Sequence, residues 1–202
     1  MNLLTQNSKL KETSKKLGLK IFNFSIPAYK SSNGETICKY AKDCVKYCYA
    51  QKGNYKRFPK IGQLMEQRYE LSKQSIFVGL MNIEIKNKKA EAIRIHDSGD
   101  FYSKEYLQKW ITIANDNPNV NFYAYTKSLP YFKDVKLPEN MDIIFSIGGY
   151  KDKTINFEKD RHAQIFDNEK ELKDSGYINA SKIDYYATKF YSNNKKVGLI
   201  YH

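Results

Sequence analysis

Cys38, Cys44 and Cys48 are the only thiols in the chain, and all three fall within one short stretch, CKYAKDCVKYCYA. An odd number cannot all pair internally, so a disulfide framework explains them poorly. Cysteine binds metal as thiolate, and three thiolates can hold three irons of a four-iron cluster or three of four zinc positions, leaving one position open. The spacing, C-x5-C-x3-C, lets one loop wrap a centre. For zinc, the best fourth ligand in the chain is His96. The plain alternative is three small buried apolar side chains, which free cysteines often are. Lys39, Lys42 and Lys46 interrupt the segment and disfavour a core location.

His96 begins a second group, HDSGDF, with an imidazole, two carboxylates, a hydroxyl and a glycine. Ser98, Gly99 and Asp100 would bind a polar ligand there, with Asp97 or Asp100 receiving an amino group or hydroxyls. A common βα turn, whose Asp and Ser cap the next helix, accounts for the same residues. Lys127 in YTKS suits a carboxylate or phosphate, and Tyr125 can donate a hydrogen bond or stack on a base. Alternatively, the lysine is simply solvated. Gly148 and Gly149 allow close backbone approach, or only a turn. Tyr47, Tyr49 and Tyr55, with the basic YKRF of residues 55–58, put aromatic and cationic groups together as single-strand binders do.

The elements that position these groups follow from periodicity. LKIFNFSIP alternates and stops at Pro27, the pattern of a first strand, and the cysteine segment follows it directly. From Pro59 to about Lys86 the apolar spacing predicts one long helix or two with a break near Ser75. Ala92–Ile95 reads as a short buried strand, opening into the His96–Asp100 loop. Ser103 is a plausible N-cap for a helix whose face is Tyr106, Leu107, Trp110, Ile111 and Ala114, ending near Asn117. VNFYAYTKS and MDIIFSIGGY are two more strands, a helix is expected around Phe157–Lys173, and KKVGLIYH closes the chain as a strand. The alternation predicts an α/β fold of mostly parallel βα units forming an incomplete barrel. In that architecture chemistry collects at the C-terminal edge of the sheet, where the cysteines, HDSGD, YTKS and SIGG each follow a strand. Residues 1–18 read as a polar basic arm or frayed helix, and residues 19–202 as a single α/β domain.

At 202 residues the chain can bury a core without disulfide staples, and 14% aromatic content supplies bulky core material. The net charge of +12 favours nucleic acid, phosphorylated ligands or acidic protein surfaces as partners, although a Lys-, Asn- and Ile-rich composition accounts for part of it. No apolar run is long enough to cross a membrane, and the N-terminus lacks the apolar core of a signal peptide. A cytoplasmic location is expected, with thiols kept reduced.

CKYAKDCVKYCYA, RIHDSGDFYSKEYLQKWITIA, FYAYTKS and KVGLIYH together resemble the phage and plasmid family called gene product 88, from about Ile21 to the C-terminus. That family in turn resembles radical S-adenosylmethionine proteins: a cysteine loop after the first strand, a small-residue loop after the second, and a partial βα barrel. The resemblance implies a phage- or mobile-element-encoded protein with a 4Fe-4S cluster on Cys38, Cys44 and Cys48. It also implies S-adenosylmethionine contacts from Ser98, Gly99 and Asp100. The usual spacing in the radical enzymes is C-x3-C-x2-C with an aromatic before the last cysteine; here Tyr47 keeps the aromatic and the spacing differs. The alternative is a non-catalytic basic protein with a structural cluster or zinc, binding nucleic acid or a host protein complex as a regulator or an inhibitor of host defence. A zinc-dependent nucleic-acid enzyme using His96 is a third expectation.

Overall fold

The computed structural model describes residues 2–52 and 54–201, with side chains left aside at residues 47, 49, 54 and 56. In chain order the regular elements are α1 (Ser8–Leu17), β1 (Ile21–Phe24), α2 (Cys44–Tyr47), α3 (Asn54–Arg57), α4 (Pro59–Lys73), α5 (Phe77–Lys88), β2 (Ala92–Ile95) and α6 (Lys104–Asp116). They continue with β3 (Asn121–Thr126), β4 (Met141–Ser146), β5 (His162–Phe166), α7 (Glu169–Asp174), β6 (Ile178–Asn179) and β7 (Lys196–Ile200). The strands form one parallel sheet in the order β1-β2-β3-β4-β5-β7-β6, curled into a half-barrel. Four successive steps in one direction put the crossover helices on one face, because such crossovers share a hand.

The outer face carries the larger core. Phe24, Ile93, Ile95, Phe122 and Ile143 from the strands meet Phe77, Met81, Tyr106, Trp110 and Ile113 from α5 and α6. Trp110 sits edge-on to Phe24 at 5.4 Å and to Phe77 at 5.7 Å, the geometry aromatic quadrupoles prefer. The expected α6 face is buried as read, and Ser103 accepts the Tyr106 amide at the cap. Helices α4 and α5 break between residues 73 and 77.

The inner face is different. Because strand side chains alternate, the register aligns Asn23, Arg94, Tyr123 and Asp142 as one buried polar row across β1 to β4. No crossover helix covers this face, so the chain covers it with α1 and the loop around Asp184. Of residues 1–18, expected as an arm or frayed helix, residues 2–18 are integral to the fold. Leu3, Leu4, Leu10 and Thr13 are buried, and Asn7 caps α1 through the Leu10 amide. The Asp184 carboxylate pairs with Lys9 at 2.7 Å and with Arg94 at 3.1 Å, and Tyr123 donates to it at 2.8 Å.

One expectation fails. The stretch from Phe157 to Lys173 is not one helix: His162–Phe166 is strand β5, and only Glu169–Asp174 is helical. Strand β5 is held by parallel pairing with β7, about thirty residues downstream, and a local apolar period cannot reveal that partner.

Candidate functional site at the C-terminal edge of the sheet

After β1 the chain makes a tight excursion that fixes Cys38. Tyr29, at φ 64°, accepts the amides of Ile37 and Cys38 on its carbonyl, and its own amide donates to Cys38 Sγ at 3.2 Å. Ile37 is fully buried beside it. The following residues dock onto the segment after β4. Gly148, at φ 104°, accepts the Lys42 and Asp43 amides on its carbonyl, and Tyr150 donates to the Tyr40 carbonyl at 2.9 Å. Asp152 clamps this turn from behind, accepting the Gly148 amide at 2.8 Å and the Gly149 amide at 3.0 Å. Gly149 packs so closely under Tyr40 that a Cβ would lie 2.9 Å from the Tyr40 carbonyl oxygen. The two glycines therefore seat the cysteine loop on the sheet edge.

All three cysteines are free and half-buried. Burial pushes the Cys38 thiol well up, with Asp100 adding to it. Burial also raises Cys44, while the nearby Lys127 ammonium opposes that shift. The electrostatic environment of Cys38 and Cys44 thus includes each other, Cys48 and Asp100, with Lys127 the compensating cation beside Cys44. The donor chemistry suits a thiophilic centre. The arrangement is nevertheless not a finished coordination sphere: among the described residues no group of three or more His, Cys, Asp or Glu is gathered to hold a metal ion. The side chains of Tyr47 and Tyr49 lie outside what the structure describes.

The His96–Asp100 loop is mostly self-engaged. Asp100 is buried, and both its oxygens are occupied: Thr126 Oγ1 at 2.5 Å and the Phe101 amide at 2.7 Å on one, the Lys127 amide at 2.9 Å on the other. Burial raises its pKa and these donors oppose the rise. Asp100 therefore braces the end of β2 against the end of β3. Gly99, at φ 88°, lies against Ile26, where any side chain would collide. Asp97 accepts from Ser25 Oγ, from Asn7 Nδ2 at 2.9 Å and from Tyr55 at 3.3 Å, tying α1, β1 and α3 together. Ser98 Oγ is buried with no hydrogen-bond partner among the described residues.

The proposed zinc ligand His96 is placed in the aromatic core. Its Nε2 meets the Tyr106 hydroxyl at 2.8 Å, its ring stands 4.8 Å from Phe101, and burial pushes its pKa down to about 3. Lys127 is buried and donates from its ammonium to Ser146 Oγ, so among the described residues its hydrogen-bond partner is a hydroxyl. Tyr125 carries the Arg94 guanidinium over its ring at 5.0 Å, and its hydroxyl is buried without a hydrogen-bond partner among the described residues. Burial pushes that phenol well up. The edge therefore gathers Cys38, Cys44, Asp100, Lys127, Ser146 and Gly148, with Cys48 coupled to the other thiols. Sequence reasoning missed the inner row of Asn23, Arg94 and Asp142 and its Asp184 counter-charge. An arginine inside the otherwise apolar AIRI strand was the available signal.

The chain matches the family described as Gene product 88 over residues 1–201. It is 28% identical over 118 residues to the Gene 88 protein of Mycobacterium phage L5, covering 51% of this chain and 48% of that protein. The Gene 88 protein of Mycobacterium phage D29 matches with the same identity and coverage. The chain spans about half the length of the curated relatives it matches. No solved structure matches, so the likeness to radical S-adenosylmethionine proteins gains no support from known folds. No helix among the described residues is long and apolar enough to cross a membrane.

Proposed function

The chain belongs to the gene product 88 family, and we propose that it is an iron–sulfur protein whose Cys38, Cys44 and Cys48 hold the cluster at the C-terminal edge of the half-barrel. One observation carries the reading. The loop bearing every thiol in the chain is clamped by backbone hydrogen bonds onto the Gly148–Tyr150 turn, with its thiols half-buried and electrostatically coupled beside Lys127. Three thiolates and sulfide make an anionic assembly, which the lysines of the loop and Lys127 offset. When bound, the cluster would supply electron transfer or an open iron for a small-molecule ligand. The chain's own part is to hold the thiols by the Tyr29 and Gly148 contacts, to brace the edge through Asp100, and to keep a cation next to Cys44.

Anaerobic purification followed by iron and acid-labile sulfide analysis tests this. Near-stoichiometric iron and sulfide, lost in Cys44→Ala, is the expected result; a colourless protein with stoichiometric zinc refutes it. Reduction with dithionite in the presence of S-adenosylmethionine, scored for 5′-deoxyadenosine against Cys44→Ala, then separates radical chemistry from a cluster that serves electron transfer or structure.

A further inference from the structure

We infer that the cleft between the segment after Cys48 and helix α4 takes an unpaired base of single-stranded nucleic acid. The cleft has a volume of about 690 Å³, large enough for a nucleobase with its sugar. Its walls are Pro27 and Met65 on the apolar side, the ring of Tyr55, and three amides, Gln51, Gln63 and Gln67. Apolar walls with an aromatic ring suit the face of a base, and carboxamides can answer both donors and acceptors on its edge.

Charge selects the ligand class. Residues 39–60 hold seven lysines and arginines against one carboxylate, Asp43, so this short stretch carries +6 of the chain's net +12. Lys30 lines the cleft, and so does Glu66, whose carboxylate accepts the Ser32 amide at 2.7 Å. Lys52, Arg57 and Lys60 are exposed, each within two residues of a lining position. A band of cations beside an apolar slot is complementary to a phosphate backbone with a base turned inward. A duplex hides the base face, and a polyacidic stretch without aromatic residues offers the slot no flat ring; a single strand supplies both parts.

No cysteine is among the described residues that line the cleft, although Ala50 and Gln51 follow Cys48 closely in the chain. The test is fluorescence anisotropy of a labelled mixed-sequence oligonucleotide on the anaerobically purified chain, with single-stranded DNA, single-stranded RNA and duplex arms. Single strands of one or both sugars should bind, and affinity should fall on the order of 50-fold between about 50 and 200 mM salt if the four cations contact phosphates. Tyr55→Leu should weaken single-strand binding about tenfold with an unchanged salt slope, and Tyr55→Phe should bind as wild type. Gln63→Glu with Gln67→Glu, on the solvent side of α4 where folding is not at issue, should also lose binding. Arg57→Glu with Lys60→Glu should flatten the salt slope. The inference is overturned if duplex binds as tightly as single strands, if polyglutamate of equal charge displaces the oligonucleotide as well as a single strand does, or if nothing binds at low salt. It is also overturned if Tyr55→Phe loses as much as Tyr55→Leu, since the hydroxyl tie to Asp97 would then explain the effect.

Discussion

Replacing Asp184 by Asn should strip the inner face of the half-barrel of its anchor. The carboxylate is almost fully buried and accepts from Lys9, Arg94 and Tyr123. Its backbone amide donates to Thr13 Oγ1 at 2.9 Å, so one residue ties the C-terminal loop to α1, β2 and β3. Burial alone would raise its pKa; Arg94 and Lys9 reverse that and hold it near 2, below the ordinary 3.8. Lys9 is lowered in turn, because burial and the like charge of Arg94 outweigh its attraction to Asp184. At about 1.4 kcal/mol per pKa unit the depression is worth about 2–3 kcal/mol to the folded state at neutral pH. A depressed carboxylate stabilises above its unfolded pKa, so this contribution is present above 3.8 and is lost as pH falls through about 2. Asp184→Asn should therefore lose about 2–3 kcal/mol at neutral pH. Asp184→Ala, which leaves two buried cations without any acceptor, should lose about 3–5 kcal/mol. Urea unfolding followed by the fluorescence of the single, buried Trp110 reads this directly. A loss below about 1 kcal/mol for Asp184→Ala would refute the view that the inner row depends on this carboxylate.

Other outcomes follow from the same contacts. The His96 ring, held neutral by burial, should show no titration by NMR between about pH 8 and about pH 5. Its pKa is depressed from 6.5 to about 3, so the unfolded chain binds a proton that the folded chain refuses, and stability falls as pH drops through that window. Gly198→Ala places a Cβ 2.5 Å from Leu172 of α7 and should cost about 1–3 kcal/mol, while Gly198→Ala with Leu172→Ala should cost less than the sum of the two, read by a double-mutant cycle. Asp100→Ala leaves the Thr126 hydroxyl and the Phe101 and Lys127 amides without their acceptor, and should lower thermal stability while accelerating hydrogen exchange at both amides.

The sequence by itself determined the elements whose causes are local. The α6 face of Tyr106, Leu107, Trp110, Ile111 and Ala114, the Ser103 cap, and the buried Ala92–Ile95 strand are written in spacing and residue type, and the structure has them where the pattern places them. So is the placement of CKYAKDCVKYCYA after the first strand. What only the tertiary structure decided depends on partners far apart in the chain. Strand β5 exists because β7 pairs with it, and α1 is part of the core because the inner face of a one-directional parallel sheet has no crossover helix to cover it. His96 and Asp100 carry residue types that read as ligands, yet folding turns one into the aromatic core and spends the other's oxygens on Thr126, Phe101 and Lys127. Gly148 receives the cysteine loop on its backbone carbonyl and the Asp152 carboxylate holds that turn by accepting its amides, so the role of both becomes visible only when the two loops meet at the sheet edge.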